Sequence, residues 1–338
     1  MKTIRKLAAR VQGILAPADV IRSAESSYIE GAIPPVPTES VGDVMNQWAG
    51  EARVRVESVD AVWWYHRELE RSLEEVRRGN GRLGLYFHGG GYVIGSARDV
   101  RSGGSRMSPT LSVYEETVSD IVVGIPRGFI ERNICACLLS VEYSLVGMGG
   151  DPVKPFPLQI LEALSAYRHL LHSTNVPPNG IVLIGDSAGG HLVLALQRYL
   201  LESGDMPSPG GLILLSPWVD LVVERDRPQV RRLLGQLSTD HLSEPYFSPS
   251  LQPLPPEQWP PTLVYYGAAE SFAPSITALV SRLMEAGAAV TSYAAEEILE
   301  KFSHDFLIFR SVEMAWPAQV DETWARIRAW TRALGTGP

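Results

Sequence analysis

The chain has 338 residues, 45% of them hydrophobic and 20% charged, which excludes a disordered protein and allows one large α/β domain or two smaller ones. Its formal net charge of −8 argues against nucleic acid as the main partner, because phosphate binding requires a basic surface. Only two cysteines are present and no Cys/His spacing is typical of zinc, so we expect no metal and a reducing, cytoplasmic location. No apolar run is long enough to span a bilayer. The protein is expected to be a monomer or a homodimer.

The first fifty residues are expected to form an arm that lies outside the main domain. Four basic residues precede the first acidic one, Asp19, as in a targeting segment, whereas apolar residues at helical spacing favour a docking helix. A proline-rich stretch over residues 31–40 follows and separates the arm from the rest of the chain. We therefore predict an arm over residues 1–50 and one larger domain over residues 51–338.

Short apolar runs alternate with amphipathic stretches along the larger domain. Val54–Trp64 predicts one or two early strands, and residues 66–78 predict a helix. Buried strands are predicted at Leu83–Phe87, Cys135–Tyr143, Ile181–Gly185, Leu212–Leu215, Thr262–Tyr266 and Val290–Tyr293. Further helices are predicted at Leu158–His172, Ala188–Leu201, Ile276–Ala286 and Asp321–Leu334. This alternation indicates a doubly wound, mostly parallel α/β sheet, whose functional groups lie at the carboxyl ends of the strands.

The clearest motif follows the strand that is predicted to end at Gly185. The sequence Gly185-Asp186-Ser187-Ala188-Gly189 has the form G-x-S-x-G and lies between a strand and a helix. In that context the serine occupies a sharp turn, where small flanking residues allow close packing and the hydroxyl stands clear of the backbone. We therefore predict that Ser187 is a nucleophile.

A second motif, His88-Gly89-Gly90-Gly91, follows the strand Leu83–Phe87. Successive glycines leave backbone N–H groups free to stabilise a negative oxygen as it develops, and one such donor contributes roughly 3–4 kcal/mol. The phosphate-binding alternative is disfavoured because no G-x-x-x-x-G-K pattern is present. The amides of Gly89, Gly90 and Ala188 are the predicted oxyanion hole, and His88 is expected to support the loop.

A serine nucleophile needs a base, and only one of the seven histidines lies after the last predicted strand. His304 has that position, which matches the chain order nucleophile, acid, base. The acid should follow the strand Thr262–Tyr266, where Glu270 is present. Its carboxylate would orient the imidazole and is expected within ~2.6–3.2 Å of His304 Nδ1, or somewhat farther in an unliganded enzyme. The alternative for Glu270 is a helix-start acid that balances the helix dipole.

With these residues assembled, the chain resembles the hormone-sensitive-lipase-like branch of the α/β-hydrolases over roughly residues 80 to 310. The pair His88-Gly89-Gly90-Gly91 and Gly185-Asp186-Ser187-Ala188-Gly189-Gly190 carries the resemblance. Val141-Glu142-Tyr143-Ser144-Leu145 is similar to fungal members, including steryl acetyl hydrolases and esterases of secondary metabolism. The resemblance implies a carboxylester hydrolase without a cofactor. It also implies a helical cap, built from the N-terminal arm and about residues 219–255, and a small or medium apolar or acetylated ester as substrate.

Two departures from the family pattern affect these expectations. The family's Arg-Leu-Ala-Pro-Glu is replaced by residues 144–148, and an aspartate common after the catalytic acid is missing near Ala273, Pro274 and Ser275. Two other functions remain open on the same scaffold. One is an acyltransferase or cyclase that resolves the acyl-enzyme with an alcohol, and the other is a ligand-binding receptor, which the presence of His304 disfavours.

Overall fold

The computed structural model describes residues 26–98, 124–251, 258–295, 304, 307 and 316–335. Eight strands lie within these residues, and each of the six strands predicted at defined bounds is confirmed to within two residues at either end. They are β1 Ser26–Ile33, β2 Val59–His66, β3 Leu83–Phe87, β4 Cys137–Val141, β5 Ile181–Asp186, β6 Gly211–Leu215, β7 Thr262–Gly267 and β8 Val290–Ala295. The basic segment before residue 26 lies outside the described residues.

The eight strands form one sheet in the order β1-β2-β4-β3-β5-β6-β7-β8. β2 pairs antiparallel with both β1 and β4, and every pair from β4 to β8 is parallel. The predicted mostly parallel α/β sheet is confirmed. β1 was not predicted, because Gly31 and the prolines that follow suggest a loop. In the structure, pairing with β2 stabilises an extended backbone there. Residues 26–33, inside the expected arm, therefore belong to the sheet.

Helices cover both faces of the sheet. They are α1 Asp43–Ala52, α2 Leu69–Arg77, α3 Ile125–Glu131, α4 Leu158–Ser173, α5 Ala188–Ser203, α6 Pro228–Leu234, α7 Ala273–Glu285 and α8 Pro317–Ala333. Buried residues of α2, α4, α5 and α7 join one hydrophobic cluster, and those of α3 and α8 join the other. α7 and α8 begin earlier than predicted, because a proline in the first turn has no amide hydrogen to lose there.

The register of the parallel strands brings four strand ends to one edge of the sheet. Phe87 at the end of β3 lies beside Gly185, Asp186 lies beside Leu215, and Leu215 lies beside Tyr265. Every residue of β3 to β7 is buried, as expected for strands covered on both faces. The loops after β3, β5, β6 and β7 therefore start next to one another. Within the described ranges, no helix is long and apolar enough to cross a membrane.

Candidate active site

Ser187 occupies the turn between β5 and α5 in a strained conformation. Its φ of 49° and ψ of −116° are unusual for a residue with a side chain. The turn is held on both sides, because the Ser187 N–H donates to the Leu215 carbonyl (2.9 Å) and the Ser187 carbonyl accepts from the amides of His191 (3.1 Å) and Trp218 (2.9 Å). These backbone bonds fix the serine at the edge where the strand ends converge.

The glycines of this turn are required by close backbone contacts. A Cβ at Gly185 would lie 2.3 Å from the Gly189 carbonyl oxygen, and a Cβ at Gly189 would lie 1.9 Å from the Phe87 carbonyl oxygen. Both distances are far below a normal contact between carbon and oxygen. The G-x-S-x-G pattern therefore reflects the packing of α5 against the end of β3.

The glycine loop after β3 lies directly against the nucleophile turn. A Cβ at Gly89 would lie 2.3 Å from Asp186 Oδ2 and 3.1 Å from Ser187 Cβ, and Gly90 has a φ of 100° that other residues rarely adopt. Among the described residues, no hydrogen-bond acceptor engages the amides of Gly89, Gly90 or Ala188. These N–H groups are therefore available beside the serine, as the predicted oxyanion hole requires.

Contacts between His88 and Tyr143 support the glycine loop. The His88 ring stacks on Tyr143 at 4.3 Å, its Nδ1 donates to the Gly89 carbonyl (2.8 Å), and the Tyr143 hydroxyl donates to the His88 carbonyl (2.5 Å). Burial lowers the pKa of His88, so the ring is neutral near pH 7. This geometry fits the supporting role that was expected for His88.

His304 lies within hydrogen-bond distance of the serine. Its Nε2 is 2.8 Å from Ser187 Oγ, and its ring meets Phe272 edge to face at 4.8 Å. The His304 side chain is 34% exposed, so the imidazole is partly accessible to solvent. Ser187 and His304, 117 positions apart in the chain, are thus brought together as a nucleophile and base would be.

Glu270 lies behind His304, but farther away than a hydrogen bond. Its Oε2 is 3.7 Å from His304 Nδ1, longer than the ~2.6–3.2 Å of a formed hydrogen bond, where a somewhat greater distance was expected for an unliganded enzyme. The same oxygen instead accepts from the Ser216 hydroxyl (2.7 Å) and from the Gly267 N–H (3.3 Å). The Glu270 side chain is 0% exposed, so these bonds satisfy a polar oxygen that water does not reach.

Two groups near the site were missed by sequence reasoning. Ser216 follows β6, and nothing in its local sequence indicates contact with Glu270, 54 positions later. His191 accepts from the Tyr92 hydroxyl at Nδ1 (2.7 Å), and its Nε2 donates to the Phe247 carbonyl (3.1 Å). Burial lowers the His191 pKa to about 4, so this ring also stays neutral. It links the segment after the glycine loop, the nucleophile helix and the segment after β6.

The segment after β6 packs against the N-terminal helix α1. The Trp48 ring on α1 lies 5.4 Å from His241, 5.7 Å from Tyr246 and 6.1 Å from Phe247.

In the part of the chain that the structure describes, no group of three or more His, Cys, Asp or Glu side chains could hold a metal ion. Cys135 and Cys137 are free and buried, and burial raises the pKa of Cys135 to about 12, so this thiol stays protonated.

Comparisons with known proteins agree with this architecture. A family model described as alpha/beta hydrolase fold matches residues 132–307. An acetyl-hydrolase of Streptomyces hygroscopicus is 28% identical over 63% of this chain and 66% of its own length. An esterase of Acinetobacter venetianus is 30% identical over 56% of this chain and 57% of its own length. Steryl acetyl hydrolase 1 of Saccharomyces cerevisiae is 24% identical over 40% of this chain and 26% of its own length. The chain thus spans between about a quarter and two thirds of these relatives.

Solved structures show the same fold at low identity. A crystal structure of an esterase from the bacterial hormone-sensitive lipase family superimposes with a TM-score of 0.58, at 23% identity, over 98% of this chain and 90% of that one. The hormone-sensitive-lipase homologue EstE7, from a metagenome library, gives a TM-score of 0.59 at 22% identity, over 85% and 92% of the two chains. At this identity the likeness establishes the fold.

Proposed function

The chain belongs to the α/β-hydrolase family, and from that premise we propose that it is a serine carboxylester hydrolase that works through an acyl-enzyme. The observation that carries the proposal is the 2.8 Å contact between Ser187 Oγ and His304 Nε2, with the serine held in a strained turn. The turn holds the hydroxyl within hydrogen-bond distance of the base before substrate binds.

Each residue then has a defined chemical task. Ser187 Oγ attacks the ester carbonyl while His304 Nε2 takes the hydroxyl proton, and the amides of Gly89, Gly90 and Ala188 donate to the oxygen that becomes negative. His304 returns the proton to the leaving alcohol, which leaves an acyl group on Ser187. Water, deprotonated by the same imidazole, then releases the acid. Glu270 orients the His304 ring and stabilises the imidazolium by its charge.

The proposed substrate class rests on the names of the relatives and on an aromatic neighbour of His304. We propose a small or medium apolar ester, with an acetyl ester as the first candidate, and the relatives named acetyl-hydrolase and steryl acetyl hydrolase support it. His304 returns a proton to the leaving oxygen, so the alcohol leaves beside the imidazole, whose ring contacts Phe272 at 4.8 Å. That aromatic neighbour favours an apolar alcohol.

The remaining proposals concern organisation and location. The packing of Trp48 against Tyr246 and Phe247 supports a cap that draws on helix α1, within the predicted arm of residues 1–50, and on about residues 219–255. Two buried, unpaired cysteines support a reducing compartment such as the cytoplasm, where thiols stay reduced.

The test is hydrolysis of p-nitrophenyl esters of increasing acyl length, alongside acetates of polycyclic alcohols, with the products identified by mass spectrometry. We expect release of free acid, fastest for the shortest acyl groups, and loss of activity in Ser187→Ala. Transfer of the acyl group to an added alcohol at the expense of free acid would favour an acyltransferase. Tight binding of an ester without turnover by the wild type would favour a receptor.

A further inference from the structure

One turn of the backbone contacts both the nucleophile and the acid. In the turn after β6, the Leu215 carbonyl accepts from the Ser187 amide and the Trp218 amide donates to the Ser187 carbonyl, at 2.9 Å each. Between them, the Ser216 hydroxyl donates to Glu270 Oε2 at 2.7 Å. The turn therefore connects Ser187 with Glu270, and the relative position of nucleophile and acid affects the rate of an acyl-transfer reaction.

The surroundings of Glu270 offer little other support. The loop after β7 contributes a longer bond from the Gly267 amide at 3.3 Å, and Ala273 and Pro274 carry no side-chain donor. Within the described residues, Glu270 Oε1 has no hydrogen-bond partner. The position of the carboxylate therefore depends on the two hydrogen bonds to Oε2. The bond from the Ser216 hydroxyl, at 2.7 Å, is shorter and stronger than the bond from the Gly267 amide.

Ser216 is itself held in an unfavourable conformation. Its φ is 43°, in the left-handed region that side chains disfavour, and its amide donates to the Tyr265 carbonyl at 2.7 Å. The residue is 2% exposed, so solvent does not compete for its hydroxyl. A strained, buried serine whose hydroxyl points at a buried carboxylate indicates that the hydroxyl is retained for that contact.

We propose that Ser216 is a positioning residue of the active site, which fixes Glu270 Oε2 opposite His304 Nδ1 through a charge-assisted hydrogen bond. The inference rests on the proposed ester hydrolysis. The Ser216 hydroxyl contacts Glu270 Oε2. Its effect is transmitted through Glu270, so it acts on the stabilisation of imidazolium in the transition state and leaves ground-state binding of the ester unchanged.

The test compares Ser216→Ala and Ser216→Gly with the wild type, using p-nitrophenyl acetate. Both variants remove the hydroxyl, but glycine also relieves the positive φ, so the pair separates the hydroxyl from backbone strain. We expect both to lower kcat on the order of 10–100-fold, the range for a hydrogen bond to a charged group, with KM nearly unchanged. Ser250→Ala is the matched control, because Ser250 is equally buried and its hydroxyl donates to the Val219 carbonyl; its kcat should stay near that of the wild type.

A double-mutant cycle with Glu270→Gln makes the test specific for the carboxylate. If Ser216 acts through Glu270, Ser216→Ala should cost much less in the Glu270→Gln background than in the wild type. Additive effects, or wild-type kcat in both single Ser216 variants, would overturn the positioning role while ester hydrolysis by the wild type stands. A wild-type protein that hydrolyses no ester would instead refute the proposed function.

Discussion

Replacement of Gly189 by alanine tests whether the nucleophile turn and the glycine loop are packed as tightly as the structure shows. The new Cβ would lie 1.9 Å from the Phe87 carbonyl oxygen and 2.7 Å from the His88 carbonyl oxygen. Because carbon and oxygen rarely approach closer than about 3.3 Å, the two backbones must separate by more than ~1 Å. Phe87 and His88 directly precede Gly89 and Gly90, so the separation moves the oxyanion donors away from Ser187.

The expected loss follows from that displacement. A misplacement of about 1 Å costs on the order of 100-fold in rate, and loss of one oxyanion donor costs ~10²–10³-fold. Gly189→Ala should therefore lower kcat for p-nitrophenyl acetate by ~10²–10³-fold and lower the free energy of unfolding by about 1–3 kcal/mol, as overpacked sites do. Steady-state kinetics and urea unfolding measure the two effects.

Gly50→Ala is the control for the general effect of alanine in a helix. A Cβ at Gly50, in α1, would meet no atom within 4 Å. The substitution should leave kcat unchanged and stabilise the fold by roughly 0.5–1 kcal/mol. If Gly189→Ala kept kcat within a few-fold of the wild type, the close contact between α5 and the glycine loop, and the argument built on it, would be wrong.

Three further predictions address the groups around the site. Glu270→Gln should lower kcat by ~10³–10⁴-fold with little change in KM, and a kcat near that of the wild type would show that Glu270 is not the catalytic acid. Tyr92→Phe should lower the free energy of unfolding in urea by about 1–3 kcal/mol, because it leaves the buried His191 Nδ1 unpaired, and equal stability of variant and wild type would argue against that bond. Burial lowers the His191 pKa from 6.5 to about 4, so as the pH falls the unfolded chain takes up a proton before the folded chain does. The free energy of unfolding of the wild type should therefore fall by up to about 3 kcal/mol between pH 6.5 and 4, a loss that His191→Asn should not show. Parallel curves of unfolding free energy against pH for the two proteins would contradict this.

The strands and the nucleophile turn could be predicted because their signals are local. An apolar run such as Leu83–Phe87 and a motif such as Gly185–Gly189 each determine their conformation within a few residues. β1 was missed because its extended conformation depends on pairing with β2, some thirty positions later, and its own residues suggest a loop.

Contacts within the site are harder to predict because they join distant parts of the chain. Chain order sufficed to select Ser187, Glu270 and His304 as candidates, since the carboxyl ends of parallel strands meet at one edge. It could not show that Ser216 donates to Glu270, or that Glu270 lies 3.7 Å from His304 Nδ1, because both depend on side-chain positions between neighbouring loops. The same holds for the link from Tyr92 through His191 to Phe247.

The central claim is that Ser187 carries the acyl group during turnover. It is tested most directly by rapid acid quenching of the wild type during p-nitrophenyl acetate turnover, followed by mass spectrometry of the digested chain. We predict one acetyl group on the peptide that contains Ser187, formed as fast as p-nitrophenol is released and absent from Ser187→Ala, which is expected to be folded and inactive. Sustained hydrolysis with no acetyl group at Ser187, or with the acetyl group on another residue, would contradict it.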